Sequence, residues 1–246
     1  MSLSLSSEGK LRMNMLKLIT LALTTTSLCA PAFAQETGTL IQRKAAQIHG
    51  TSKTDARRTV LEFAACLISR SPGRADKMVA LPISAREYQI MYRNLYDTFD
   101  DECLSSGDTG GVQLRFSPTV FRAGLFEELY RRNFGRKGPT DFQAVTTSGY
   151  RELYGDAVAD PEVRNAIAIE QFGECVTRAD GAGVRELMTA NAGSADEAGT
   201  FARLSSRLGA CLPKGEKIAF SKPILKGALA EGIYRLSLVA VAGVKK

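Results

Sequence analysis

Two cysteine-bearing stretches of this chain carry the same motifs in the same order, and this repetition constrains the fold more than any other feature. Glu62-Phe63-Ala-Ala-Cys66 is echoed by Gln171-Phe172-Gly-Glu-Cys175, with a Phe three residues before each Cys. Ser84-Ala-Arg-Glu87 matches Ser194-Ala-Asp-Glu197. Cys103 and Cys211 are each followed by a Leu, and Phe116-Ser117 matches Phe220-Ser221. Finally Arg122-Ala-Gly-Leu125-Phe-Glu127-Glu-Leu129-Tyr130-Arg131 aligns with Lys226-Gly-Ala-Leu229-Ala-Glu231-Gly-Ile233-Tyr234-Arg235. The cysteines lie 37 residues apart in the first copy and 36 in the second. A repeated unit of roughly 75 residues predicts a repeated supersecondary structure, and two copies are too few for a solenoid. A pseudo-twofold single domain or a pair of small packed domains is expected.

The unit reads as helices. Val60, Leu61, Ala64, Leu67 and Ile68 follow the spacing of a buried helical face. Asp160-Pro161-Glu162 supplies an N-cap, a first-turn proline and a first-turn acid. Ser84/Glu87 and Ser194/Glu197 both fit the capping-box spacing. Met78-Val79 and Leu187-Met188 belong to a short helix between these starts, and a last helix runs from about Pro118 to Arg132 and from Lys222 to Leu236. The stretches 112–116 and 217–220 are apolar enough to be extended but too short for a sheet. The expected class is all-α, a pseudo-twofold duplication of a four-helix unit. Residues 54–132 form the first repeat and 160–246 the second with its tail; the Gly-, Thr- and Ser-rich 133–159 reads as a linker, and 35–53 as a loosely ordered polar segment.

Residues 1–34 have the order of a secretory signal peptide: Lys10, Arg12 and Lys17, then an apolar run from Leu18, then Ala32 and Ala34 at the positions of an A-x-A cleavage site. Met13 and Met15 are alternative starts. The apolar core, about 11 residues, falls short of the roughly 20 that a membrane span needs. Cys29 raises a lipoprotein anchor as an alternative, against which Leu28 stands where a small residue is usual. Cleavage near Ala34 predicts a periplasmic or secreted chain with no transmembrane segment in its mature part. It also removes three basic residues and one acidic residue, taking the net charge from +6 to +4. The remaining charges are dispersed, which argues against nucleic-acid binding and leaves an envelope protein or an anionic polymer as the expected partner.

Four cysteines at matched spacing in an exported chain read as two disulfides. An ancestral single unit would have paired internally, which selects Cys66–Cys103 and Cys175–Cys211 from the three pairings. Redox chemistry would favour a C-x-x-C motif, which is missing, and zinc would need more ligands than the lone His49 supplies. No metal site, cofactor fingerprint or catalytic triad is expected. The acids that stand out are Glu127 and Glu231, at the same position of each copy. They fit either a glycosidase-like acid and base or, with Arg131 and Arg235 four residues on, helical ion pairs. Tyr130 and Tyr234 also match and are expected to bury their rings and anchor their hydroxyls.

Features found in only one copy are candidate binding elements. They are the stripe Tyr88, Tyr92 and Tyr96, the insertion around Gly107–Gly111, and the basic end formed by Arg131, Arg132, Arg136 and Lys137. The stripe has a core reading beside the ligand reading, and the basic end reads equally as charges favoured by a helix C-terminus. The repeat motifs, above all the closing helix, resemble uncharacterised exported bacterial proteins with the same duplicated unit, over about residues 60–131 and 170–235. That resemblance implies an envelope location and a helical pair, and it brings no catalytic residue. The expected function is a non-enzymatic binding or envelope-interaction module; the alternative is a cofactor-free envelope hydrolase using the paired carboxylates.

Overall fold

A computed structural model describes residues 52–103, 116–147, 150–212 and 221–244, with the backbone alone for 96–102, 150, 151 and 244. The described residues hold helices and no strand. They are α1 (Lys53–Arg70), α2 (Pro72–Ala80), α3 (Arg86–Cys103), α4 (Pro118–Asn133), α5 (Tyr150–Tyr154), α6 (Pro161–Ala179), α7 (Gly181–Thr189), α8 (Ala195–Leu208) and α9 (Lys222–Val244), with short 3-10 turns after α4, α5 and α8. The leader, His49 and the Gly107–Gly111 insertion lie outside the described residues, as do the stretches 112–115 and 217–220.

Local chemistry sets most helix starts. Ser52 accepts the Asp55 N–H at the head of α1, Ser117 accepts the Val120 N–H at α4, and Asp160 accepts the Glu162 N–H ahead of Pro161 at α6. Ser194 caps α8 through the Glu197 N–H. The Ser84/Glu87 capping box expected at α3 is not the start of that helix. α3 begins at Arg86, and the Glu87 carboxylate pairs instead with Lys77 at 2.6 Å. At the other end of the chain, α9 continues two turns past Leu236, so the tail is helical and leaves Leu238, Val239 and Val241 exposed.

Both disulfides have the expected partners, Cys66–Cys103 and Cys175–Cys211, with Cα atoms 5.6 and 5.8 Å apart. Each ties the first helix of its series, α1 or α6, to the end of the third, α3 or the turn after α8. The face of α1 faces inward as its periodicity predicts, and Val60, Leu61, Ala64, Leu67 and Ile68 are all buried. One continuous core contains side chains from both series, Phe63, Phe121, Phe126 and Leu129 beside Phe172, Leu187, Leu229 and Tyr234.

At its centre α4 lies against α9. A Cβ added to Gly227 would sit 2.6 Å from the Cβ of Ala123, too close for two side chains. On the far side of α9, a Cβ on Gly173 of α6 would come within 2.1 Å of the Ala228 carbonyl oxygen. Glycine at these two places therefore permits helix axes to approach more closely than any side chain would allow.

The stretch read as a linker does more than connect. Phe142 is fully buried in the main core, and Tyr154 packs with Val163 and Ile167 in a small second cluster. Polar composition concealed this, because two aromatics among Gly, Thr and Ser residues suffice to pin the segment down.

Candidate functional site

The least ordinary feature of the fold is a set of charged side chains held between α4 and α9, where apolar packing would be expected. Arg122, Glu127, Lys226 and Glu231 are each at least 94% buried. Glu127 and Glu231 make the expected pairs within their own helices, to Arg131 at 2.6 Å and to Arg235 at 2.7 Å. Each also receives a cation from the opposite helix. Arg122 of α4 donates through Nε and Nη2 to Glu231 of α9, and Lys226 of α9 donates to Glu127 of α4 at 2.9 Å. Arg122 and Lys226 occupy the same place in the two aligned motifs, so the two helices exchange partners reciprocally.

The Glu127 end extends further. Arg57 of α1 reaches both Glu127 and Glu197, and Lys226 also donates to Glu197 at 2.6 Å. The capping-box acid of α8 thus becomes a member of the ion cluster, with a second oxygen accepting the Gly193 N–H at 2.8 Å. Burial pushes the Glu197 carboxyl up, but hydrogen bonds from Lys226, Gly193 and Arg57 outweigh it and bring the pKa down to about 2. Burial opposes the charge of Glu231 too, and Arg122 and Arg235 together hold it below the usual carboxylate range. Burial lowers the Lys226 ammonium against the pull of Glu127.

Two grooves flank the α4–α9 contact. The first, about 360 Å³, lies among α1, α4 and α9; the second, about 340 Å³, lies among α4, α6 and α9. Most of their lining positions correspond under the alignment of the two sets of sequence motifs. Residues 53, 56, 57, 60 and 61 of α1 line the first groove, and their counterparts 162, 165, 166, 169 and 170 of α6 line the second. Likewise 223, 226 and 227 of α9 in the first groove correspond to 119, 122 and 123 of α4 in the second.

The charges do not correspond. The first groove is lined by the cations Lys53, Arg57 and Lys226 and by one carboxylate, Glu127. The second is lined by the acids Glu162, Glu170 and Glu231 and by one cation, Arg122.

Glu170 is the residue the sequence reading missed; Leu61 stands at the aligned position. It is 6% exposed, its Oε1 accepts the Tyr154 hydroxyl at 2.5 Å, and its Oε2 has no hydrogen-bond partner. Burial first, then the neighbouring Glu231 carboxylate, lift its pKa to about 7, against the opposing influence of Tyr154, Arg122 and Arg235. The signal available in the sequence was the replacement of an apolar repeat position by an acid.

The candidates from sequence fall elsewhere. Tyr88 and Tyr92 are core residues whose hydroxyls donate to the Pro118 and Phe116 carbonyls, so they present no open face; the Tyr96 side chain lies outside the described residues. Arg131 clamps Glu127, Glu128 and the Met188 and Ala190 carbonyls. Arg132, Arg136 and Lys137 are exposed, and Arg136 borders an open cavity of about 590 Å³ with Asp180, Arg185 and Arg203. Of the matched tyrosines, Tyr234 is anchored to the Asn133 amide at 3.2 Å, whereas the buried Tyr130 hydroxyl has no partner. Among the described residues no cluster of His, Cys, Asp and Glu has the arrangement of a metal site. No protein-family model, curated protein or solved structure matches the chain.

Proposed function

We propose that this protein is an exported, non-enzymatic binding module that takes a small ligand with an apolar body in the groove among α4, α6 and α9. One observation carries the reading: a groove of ligand size with Ile83, Ile169 and Ile224 on its walls is also lined by a buried carboxyl, Glu170, one of whose oxygens has no partner. Two disulfides are compatible with an oxidising compartment, and no helix among the described residues is long and apolar enough to cross a membrane. An envelope location also agrees with the leader-like residues 1–34 and with the exported proteins that the repeat motifs resemble. The corresponding linings of the two grooves and the reciprocal ion pairs support descent from one duplicated unit.

The hydrolase alternative relied on Glu127 and Glu231 as acid and base, and their surroundings lend it no support. Glu127 accepts two contacts from Arg57 and one each from Arg131 and Lys226. Glu231 accepts two from Arg122 and two from Arg235. In each acid three of these contacts fall on Oε1 and one on Oε2, and every donor is a cation, which is the arrangement of a buried ion pair rather than of an acid and base set out for a substrate.

A neutral fluorescent reporter such as N-phenyl-1-naphthylamine tests the binding reading. It should bind saturably to the wild-type protein, lose binding when Ala166→Phe fills the second groove, and keep it in Ala56→Phe, which fills the first. Equal binding by all three proteins, or none by the wild type, would refute the assignment.

A further inference from the structure

We propose that the groove among α4, α6 and α9 binds an organic ammonium cation, with the ammonium paired to the Glu170 carboxyl and the apolar body along Ile83, Ile169 and Ile224. This deepens the binding reading and rests on it. A buried oxygen without a partner is costly, and a ligand donor that reached it would recover that cost. Glu170 is nine-tenths buried and lines the groove, and its unpartnered Oε2 is closed to solvent, so a donor held in the groove meets that oxygen once the carboxyl turns about its side-chain bonds.

The sign of the donor follows from the surroundings. Glu162 stands on the rim and Glu231 beside Glu170, both acidic. The nearby cations are already engaged. Arg122 is turned to Glu231 and to the Met78 and Leu81 carbonyls, and Arg235 is turned to Glu231. An anion would therefore meet carboxylates and find no unpaired cation among these residues. The first groove provides an internal contrast. Where the second has Glu162, Ala166 and Glu170, the first has Lys53, Arg57 and Leu61, and a cation entering it would be repelled.

Geometry and charge carry the assignment, and the titration of Glu170 adds a signature. Facing it are Tyr154 from α5, Glu231 and Arg235 from α9, and Arg122 from α4. With a pKa of about 7, the carboxyl must ionise to meet the cation, so ammonium binding should tighten about tenfold between pH 6 and pH 8. A neutral donor would show no such rise.

Isothermal calorimetry with 4-phenylbutylammonium, 4-phenylbutanol and 4-phenylbutyrate tests this on the full chain. The ammonium should bind one per chain, at least tenfold more tightly than the alcohol at pH 8, and the carboxylate should not compete. Glu170→Gln keeps the shape of the neutral side chain and so should fold; it should abolish both the preference for ammonium and its pH dependence. Equal affinity for ammonium and alcohol, or an unchanged Glu170→Gln, would overturn the ammonium assignment. If the alcohol binds and Ala166→Phe abolishes it, the groove remains a binding site with different chemistry. If none of the three compounds binds the wild type, the groove reading falls as well.

Discussion

Arg122 and Lys226 each cross to the glutamate of the opposite helix, and each is too deeply buried to be replaced by water. Removing one member of such a pair leaves a buried charge short of a partner, at a cost of about 3–5 kcal/mol, whereas removing both spares that charge. Arg122→Met should therefore lower the unfolding free energy measured in urea by about that amount, and Arg122→Met/Glu231→Met should recover part of it, the Met78 and Leu81 carbonyls that Arg122 serves still lacking their donor. The partly exposed Arg235 can turn to solvent when Glu231 is gone.

Glu170 makes a second prediction at this scale. Its folded pKa is raised above its unfolded value, so its contribution to stability is complete below about pH 4.5 and is lost as pH rises through about 7. Glu170→Gln should match the wild type in urea unfolding at pH 4.5 and exceed it at pH 8. Glu197 has the opposite sign: its contribution is present above about pH 4.5 and is lost as pH falls through about 2. The pairs to Arg131 and Arg235 were legible because helical spacing places them together. The crossed pairs were not, because their members lie 99 and 109 residues apart and only the packing of α4 on α9 joins them.

The helices themselves were largely legible, since their starts are local chemistry: serine or aspartate caps and first-turn prolines at α1, α4, α6 and α8. The same local logic misplaced the start of α3, where Lys77 on α2 draws Glu87 away from a cap. It also left Tyr88 and Tyr92 open between core and ligand face, because the period of a stripe reveals that a face is special but not what covers it. The closeness of α4 and α9 was hidden for a related reason; an Ala and a Gly in aligned motifs do not announce that they touch. Gly227→Ala should push the helices apart and destabilise the protein by about 1–3 kcal/mol. Combining it with Ala123→Gly returns the lost space and should restore most of the melting temperature. A double variant no more stable than Gly227→Ala alone would mean that the contact does not set the helix spacing.

At the scale of the whole molecule, one core is held by two covalent ties at corresponding places. Each disulfide closes a loop of similar length and should contribute up to about 4 kcal/mol on chain-entropy grounds. Replacing Cys66 and Cys103 by Ala, or Cys175 and Cys211, should thus cost comparable amounts in thermal unfolding without changing the helical signal in circular dichroism. Pairing and all-helical class followed from the sequence because the duplicated spacing left one sensible connectivity. The grooves did not, because they exist only between helices far apart in the chain, and their opposite charge becomes visible only when aligned positions are compared in space.

The contrast between two corresponding grooves of opposite charge, of which we propose that one takes a cation, can be read amide by amide. Nitrogen-15 amide chemical shifts followed during titration with 4-phenylbutylammonium test it most directly. The amides of Asn165, Ala166, Ile169 and Ala228 should shift with one saturable constant while those of Ala56, Arg57 and Val60 stay in place. Shifts centred on Ala56, Arg57 and Val60, or spread evenly over both grooves, would contradict it.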